Sequence, residues 1–341
     1  MIGERIFGAF LFAEDWQPWT ADQAARQFDV LARRGVNAVF TEGETYRDDL
    51  IEVAHHAGLS FIGGIACFSD HAHQHQVLEQ RPELWPIDAS GARRAPMEWY
   101  VGVTPTFKDY AASRLALAER LVAQHPLDGF VLDFIRWPIH WELELRPGAV
   151  RAPESSFDAH TLDRFQAETG IRLPSDLADT AAQSGWIRAH AASEWLTFKC
   201  AVITDFVREC AMRLRAVRRQ PLSLGVFTLP LPPAELAAVA GQRLADLAPL
   251  VDWVTPMAYH AILHRPRAWV ADIVEATAQA APGQVLPVVQ ISSAEGSASG
   301  ADWGPTISAA EAGAVLRLAT ERTDSRGVVA FPGSAVSRII R

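Results

Sequence analysis

The sequence lacks clustered positive charge, has few cysteines and contains no long apolar run, and each shortage removes a class of function. Lys and Arg total 31 against 40 Asp and Glu, a formal charge of −9, and no segment gathers the basic residues into a run. A nucleic-acid groove needs clustered cations to neutralise phosphates, so no nucleic-acid partner is expected. The three cysteines, Cys67, Cys200 and Cys210, cannot all pair and show no CxxC spacing. Neither a disulfide framework nor a zinc cage follows, and packed thiols are expected. The short apolar run Ile6 to Ala13 lies between Glu4-Arg5 and Glu14-Asp15. That is too short for a signal peptide or a membrane span, so a cytoplasmic protein with no membrane partner is expected.

What is present is an ordinary globular balance, 49% hydrophobic and 21% charged over 341 residues, enough to bury a large core. Short apolar runs alternate with helical patterns, which is the signature of βαβ units. Strands are predicted at Ile6–Phe12, Ala38–Thr41, Ser60–Phe68, Gly129–Phe134, Leu222–Thr228, Trp253–Tyr259, Val285–Ile291 and Gly327–Phe331. Helices are predicted between them, the first opening at Thr20 and closing at Gly35, the longest from about Trp195 to Val217, and another over Pro233–Ala245. The count favours a single (β/α)8 TIM barrel spanning 1–341 over a doubly wound sheet, whose local pattern is the same. Long proline-rich insertions interrupt it after strands three and four, at about 69–108 and 137–195.

In such a barrel, function sits at the C-terminal ends of the strands. That filter selects Glu14 and Asp15 after the first strand, Glu42 and Glu44 after the second, Asp133 at the end of the fourth and Glu295 after the seventh. Asp128 and Asp252 precede their strands and read as structural. The most informative segment is Leu127-Asp128-Gly129-Phe130-Val131-Leu132-Asp133-Phe134-Ile135-Arg136-Trp137-Pro138. It supplies a carboxylate, a cation to set its ionisation and an aromatic face, and an Asp beside Arg suits a nucleophile, charge stabiliser or base.

This segment resembles the fourth strand of a bacterial glycoside hydrolase-like barrel family, DG-x-x-x-D-[YF]-I-R-[YFW]-P. Thr104-Pro105 before the strand, and Phe165, Gly170, Trp195 and Phe198 after it, extend the resemblance. Val251-Asp252-Trp253-Val254-Thr255-Pro256-Met257-Ala258-Tyr259 is similar to the sixth-strand M-x-Y signature of chitinase-like barrels. Those enzymes carry Glu two residues after the Asp matching Asp133, where this chain has Ile135, so substrate-assisted chitinase chemistry is not implied. The resemblance implies a glycoside hydrolase fold and a carbohydrate substrate.

Glycosidic hydrolysis uses two carboxyl groups. Asp133 is the first, and Glu44 ranks before Glu42, Glu295 and Glu142 as the second, with Glu44 the provisional general acid. Arg136, Trp137, Trp99, Tyr100, Tyr259, His260 and Gln290 are the expected substrate-binding residues. Indoles near strand tops, Trp16, Trp19, Trp141 and Trp303 among them, offer faces for sugar rings, although some must serve the core. Asp70 with His71, His73 and His75 has zinc-ligand chemistry in a polar loop where such histidines usually bind nothing, so no metal and no cofactor are expected. Two other readings predict different residues. A sugar isomerase or aldolase requires a glycine phosphate cradle after strands seven and eight or a Schiff-base lysine at a strand end, and Gly296 and Gly300 in a Ser-rich loop supply neither. A non-catalytic carbohydrate-binding barrel would keep sugar affinity without turnover.

Overall fold

The computed structural model describes residues 5–70, 76–96, 100–217, 222–294, 302–321 and 325–340. Eight strands form a closed parallel barrel in chain order: β1 (Ile6–Phe10), β2 (Ala38–Phe40), β3 (Ser60–Ala66), β4 (Gly129–Asp133), β5 (Ser223–Thr228), β6 (Trp253–Ala258), β7 (Val288–Gln290) and β8 (Gly327–Phe331). The ring closes where β1 pairs with β8, Ile6 opposite Gly327. Helices follow the strands round the outside, so the fold is the expected (β/α)8 barrel. Among the described residues no helix is long and apolar enough to cross a membrane.

Local sequence accounts for the element ends. Thr20 caps the helix Ala21–Arg33 by accepting from the Gln23 amide, and Gln23 returns the bond to the Thr20 amide. Gly35 then turns the chain at φ +85°. At the bottom of the barrel the Asp128 carboxylate accepts from the Phe61 amide at 2.7 Å, and Asp252 accepts from the Leu224 amide at 2.8 Å. Each carboxylate therefore ties the start of its own strand to a neighbour.

Two elements are shorter than their sequence pattern. β7 is held to Val288–Gln290 because Pro287 offers no N–H to the ladder, and Val285 keeps only an isolated bridge to Val254. The helix from Pro233 stops at Ala240 because Gly241 turns left-handed at φ +69°. A Cβ there would come within 2.6 Å of the Trp137 ring, so the close approach also requires glycine.

The barrel interior is filled. Trp253 reaches across to meet Phe40 edge-on at 6.3 Å, and a Cβ on Gly225 would sit 1.7 Å from the Trp253 Nε1. Gly225→Ala is expected to cost at least about 2 kcal/mol by overpacking. Urea denaturation would read this as a lowered midpoint with an unchanged slope.

The insertions after β3 and β4 pack on each other. Asp88 bridges to Ser155, the Ala89 amide donates to the Glu154 carbonyl, and the Phe157 amide donates to Ile87. They form one collar beside the tops of β3 and β4.

Candidate active site

Asp133 is the last residue of β4, at the barrel's C-terminal face. Its Oδ1 accepts from the Phe134 amide at 2.5 Å and lies 3.6 Å from Arg136 Nη1. Both contacts stabilise the ionised carboxylate. Phe134 adopts φ +52°, an unusual conformation for a non-glycine residue, and this turn aims its amide back at the carboxylate. Arg136 is 2% exposed, with its guanidinium 4.4 Å from the Phe134 ring centroid and 5.3 Å from that of Tyr100. Those two rings stack at 5.5 Å. The cation is thus held by aromatic faces, which offset part of its desolvation, and directed at Asp133.

Tyr259, immediately after β6, marks the centre of the mouth. Burial raises its phenol well above the ordinary tyrosine range, and the charges of Asp133, Glu142 and Glu42 push the same way. The negative charges felt at this hydroxyl come from the end of β4, from the segment that follows it and from the loop after β2. Beside it runs an aromatic wall. Tyr259 stacks on Phe331 at 4.5 Å and 11°, Phe331 stacks on Trp303 at 5.2 Å, and Phe12 meets both Phe331 and Trp303. Trp303 and Phe12 are half-exposed, so the wall offers solvent a ring face of the kind a pyranose covers.

The short helix Trp141–Glu144 lies over this mouth. Trp141 packs against Tyr259 at 5.6 Å. Arg146 fastens the segment to two other loops, donating to Asp302 Oδ2 at 2.7 Å, to the Asp302 carbonyl at 3.0 Å and to the Ile262 carbonyl at 2.9 Å. Glu144 fastens it from below through buried Arg94, the His140 amide and the Ala152 amide. Glu142 is treated differently. Its Oε2 is buried yet meets no hydrogen-bond partner among the described residues, and burial raises its carboxyl against the opposing pull of Arg136 and Arg146.

His140 was not singled out by the sequence. Its ring stands edge-on to Tyr100 at 5.1 Å, and burial with the nearby Arg94 and Arg136 charges pushes it down to about 4 from 6.5. The unfolded chain then takes up this proton first as pH falls. Its contribution to stability is full above about pH 6.5 and is lost as pH drops towards 4. Urea midpoints at pH 7 and pH 4.5 should therefore differ less for His140→Gln than for the wild type. An equal difference would remove His140 from the acid sensitivity.

The other expected site residues are distributed unevenly. Glu44 is paired with Arg114 at 2.7 Å, and Arg114 also donates to the Ala66 carbonyl, so the carboxylate braces the β2 loop against the helix Lys108–Gln124. Such an ion pair favours the charged form of a carboxylate over the proton-donating form expected of Glu44. Trp137 is fully buried against Trp195 and Phe198, with its indole N–H given to the Lys199 carbonyl, and has no face to offer a sugar. Gln290 is also fully buried. Its amide joins loops by accepting from Ile262 and donating to the Ser292 and Trp303 carbonyls, so it supports the wall from behind. His260 faces Glu311 at 3.2 Å rather than the carboxylates round Tyr259, and burial lowers its pKa. Tyr100 is buried on Phe134 and holds Arg136. Glu295, Trp99, His71, His73 and His75 lie outside the described residues. Among the described residues no three His, Cys, Asp or Glu side chains are gathered as a metal-ligand set.

The barrel is similar to several solved structures. It superposes on the PgaB (BpsB) glycoside hydrolase domain of Bordetella bronchiseptica with a TM-score of 0.68 at 13% identity, covering 98% of this chain and 99% of that one. It matches the β-galactosidase of Marinomonas ef1 at TM-score 0.65 and 12% identity, covering 96% of this chain but only 54% of the galactosidase. The β-amylase catalytic domain of Paenibacillus polymyxa gives 0.58 at 11% identity, with 100% and 99% covered. These neighbours are glycoside hydrolases, and at such identities the likeness establishes the fold. No family model and no curated protein matches the sequence.

Proposed function

We propose that the chain is a glycoside hydrolase or transglycosylase that acts on an oligo- or polysaccharide, with Asp133 as the ionised carboxylate of its catalytic pair. The observation that carries this reading is the placing of Asp133 at the barrel mouth. Arg136 and the Phe134 amide hold it, and its charge is felt at the Tyr259 hydroxyl together with those of Glu142 and Glu42. Glycosidic bond cleavage develops positive charge at the anomeric carbon and negative charge on the leaving oxygen. An oriented carboxylate stabilises the first, by charge or by a covalent bond, and a carboxylic acid relieves the second. The wall Phe12, Trp303, Phe331 and Tyr259 supplies an apolar ring face beside those groups. The likeness to glycoside hydrolase barrels supports the class and leaves the sugar open.

The test is hydrolysis of a broad panel of α- and β-linked oligosaccharides and aryl glycosides, read by product chromatography. Cleavage of at least one member is expected. A panel that is bound but never cleaved would make the barrel a binding module, and a panel neither bound nor cleaved would remove carbohydrate from the account.

A further inference from the structure

We propose that Glu142, carried over the barrel mouth by the insertion after β4, is the proton donor to the departing sugar oxygen. This inference rests on the hydrolase reading above and assigns a role within the same site.

Two glutamates, Glu142 and Glu144, lie on one short helix. Glu144 has its carboxylate oxygens occupied by Arg94 and by the amides of His140 and Ala152, which is how a buried charge is normally satisfied. Glu142, two residues earlier, places Oε2 out of solvent with no partner among the described residues. A buried carboxyl oxygen left without a protein partner is costly unless it is protonated or meets a ligand. The same helix is held rigidly, by Glu144 beneath it and by Arg146 bonded to Asp302 and Ile262 beyond it. Several bonds thus position a segment on which Glu142 Oε2, like the ring Nε2 of His140 at the helix start, is buried without a partner among the described residues. Trp141 seats on Tyr259, and the charge of Glu142 reaches that hydroxyl together with that of Asp133. Asp133 and Glu142 thus lie on one stretch of chain at the exit of β4, and Arg136, 3.6 Å from Asp133, also acts on Glu142.

Their surroundings drive them apart chemically. Asp133 has an arginine and a backbone amide directed at one oxygen, and both favour the anion. Glu142 is desolvated, which favours the acid form. Glu44, by contrast, faces the Arg114 guanidinium at 2.7 Å, a partner that favours the anion. In the step assigned, the C1–O bond breaks with its electron pair remaining on the departing oxygen, and that oxygen takes the proton of Glu142. Water is the co-reactant. Its oxygen ends on C1, and its proton returns to a carboxylate of the pair.

Dependence on leaving group provides the test. Glu142→Gln and Glu142→Ala are compared with the wild type on an oligosaccharide from the panel and on the matching 2,4-dinitrophenyl glycoside, whose phenolate departs without a proton. On the oligosaccharide, kcat/KM is expected to fall about 10²–10⁴-fold, whereas cleavage of the dinitrophenyl bond stays within about tenfold of wild type. The alkaline limb of the wild-type pH profile, where the donor loses its proton, should be absent from both variants. Leu143→Ala, on the same helix but facing solvent, should leave all three readouts unchanged. An equal loss on both substrates, or no loss on either, would overturn the assignment while leaving wild-type cleavage intact. If the wild type cleaves nothing, the hydrolase reading fails first and takes this assignment with it.

Discussion

Asp133→Asn should reduce turnover at least about 10³-fold while leaving sugar affinity within a few-fold of wild type. The size follows from removing a charge whose partners are fixed in advance and whose work lies mostly in the transition state. Asparagine keeps the shape and can still accept from the Phe134 amide, so the ring-binding wall of Phe331, Tyr259 and Trp303 is unaffected. The same change removes the counter-charge of Arg136, which is 2% exposed and lies 3.6 Å away. A modest loss of stability, about 1–3 kcal/mol, should accompany the kinetic loss. Kinetics at 25 °C, well below the unfolding transition, separate the two effects. Turnover within tenfold of wild type would exclude Asp133 from the chemistry.

The second large effect is expected at an ion pair that supports the helix carrying Glu142. Glu144 and Arg94 are 8% and 5% exposed and form an ion pair between the two insertions. Glu144→Ala leaves the Arg94 guanidinium buried without its counter-charge and strips two backbone amides of their acceptor, so a loss of about 3–5 kcal/mol is expected. Replacing both partners by apolar residues, Arg94→Met with Glu144→Leu, should recover a large part of that loss, because the penalty lies in the orphaned charge more than in the missing attraction. Guanidinium unfolding of the single and double variants measures both. A single-variant loss below about 1 kcal/mol would mean that the collar tolerates the unpaired cation. Because this pair also seats the helix carrying Glu142, Glu144→Ala should lower kcat on oligosaccharides.

How much of this was legible in the sequence depended on the range of the interactions involved. Strand and helix positions follow from patterning within a dozen residues, and the Thr20 cap, the Gly35 stop and the strand-bottom aspartates could all be read locally. Pro287 carried the signal that shortens β7, but a run of valines and leucine around it masked the consequence. Asp133 with Arg136 was readable because both lie in one motif at a strand end. The choice between Glu44 and Glu142 was not. The pairs that separate them in the fold join Arg114 to Glu44, seventy positions away, and Arg94 to Glu144, fifty positions away. Neither pairing leaves a periodic trace. Trp137 shows the same limit, since an indole beside a strand-end Asp and Arg looks like a sugar platform until Trp195, Phe198 and Gly241 are folded over it. His140 carried no spacing signal, and only its burial between two arginines makes it notable.

The most direct measurement is a crystal structure of Asp133→Asn bound to an oligosaccharide that the wild type cleaves. The account predicts a glycosidic oxygen within hydrogen-bond distance of Glu142, the anomeric carbon facing residue 133, and a sugar ring against Trp303. Sugar bound instead only at another surface, such as the groove of about 390 Å³ lined by Thr197, Asp205, Arg208 and Arg243, would contradict it.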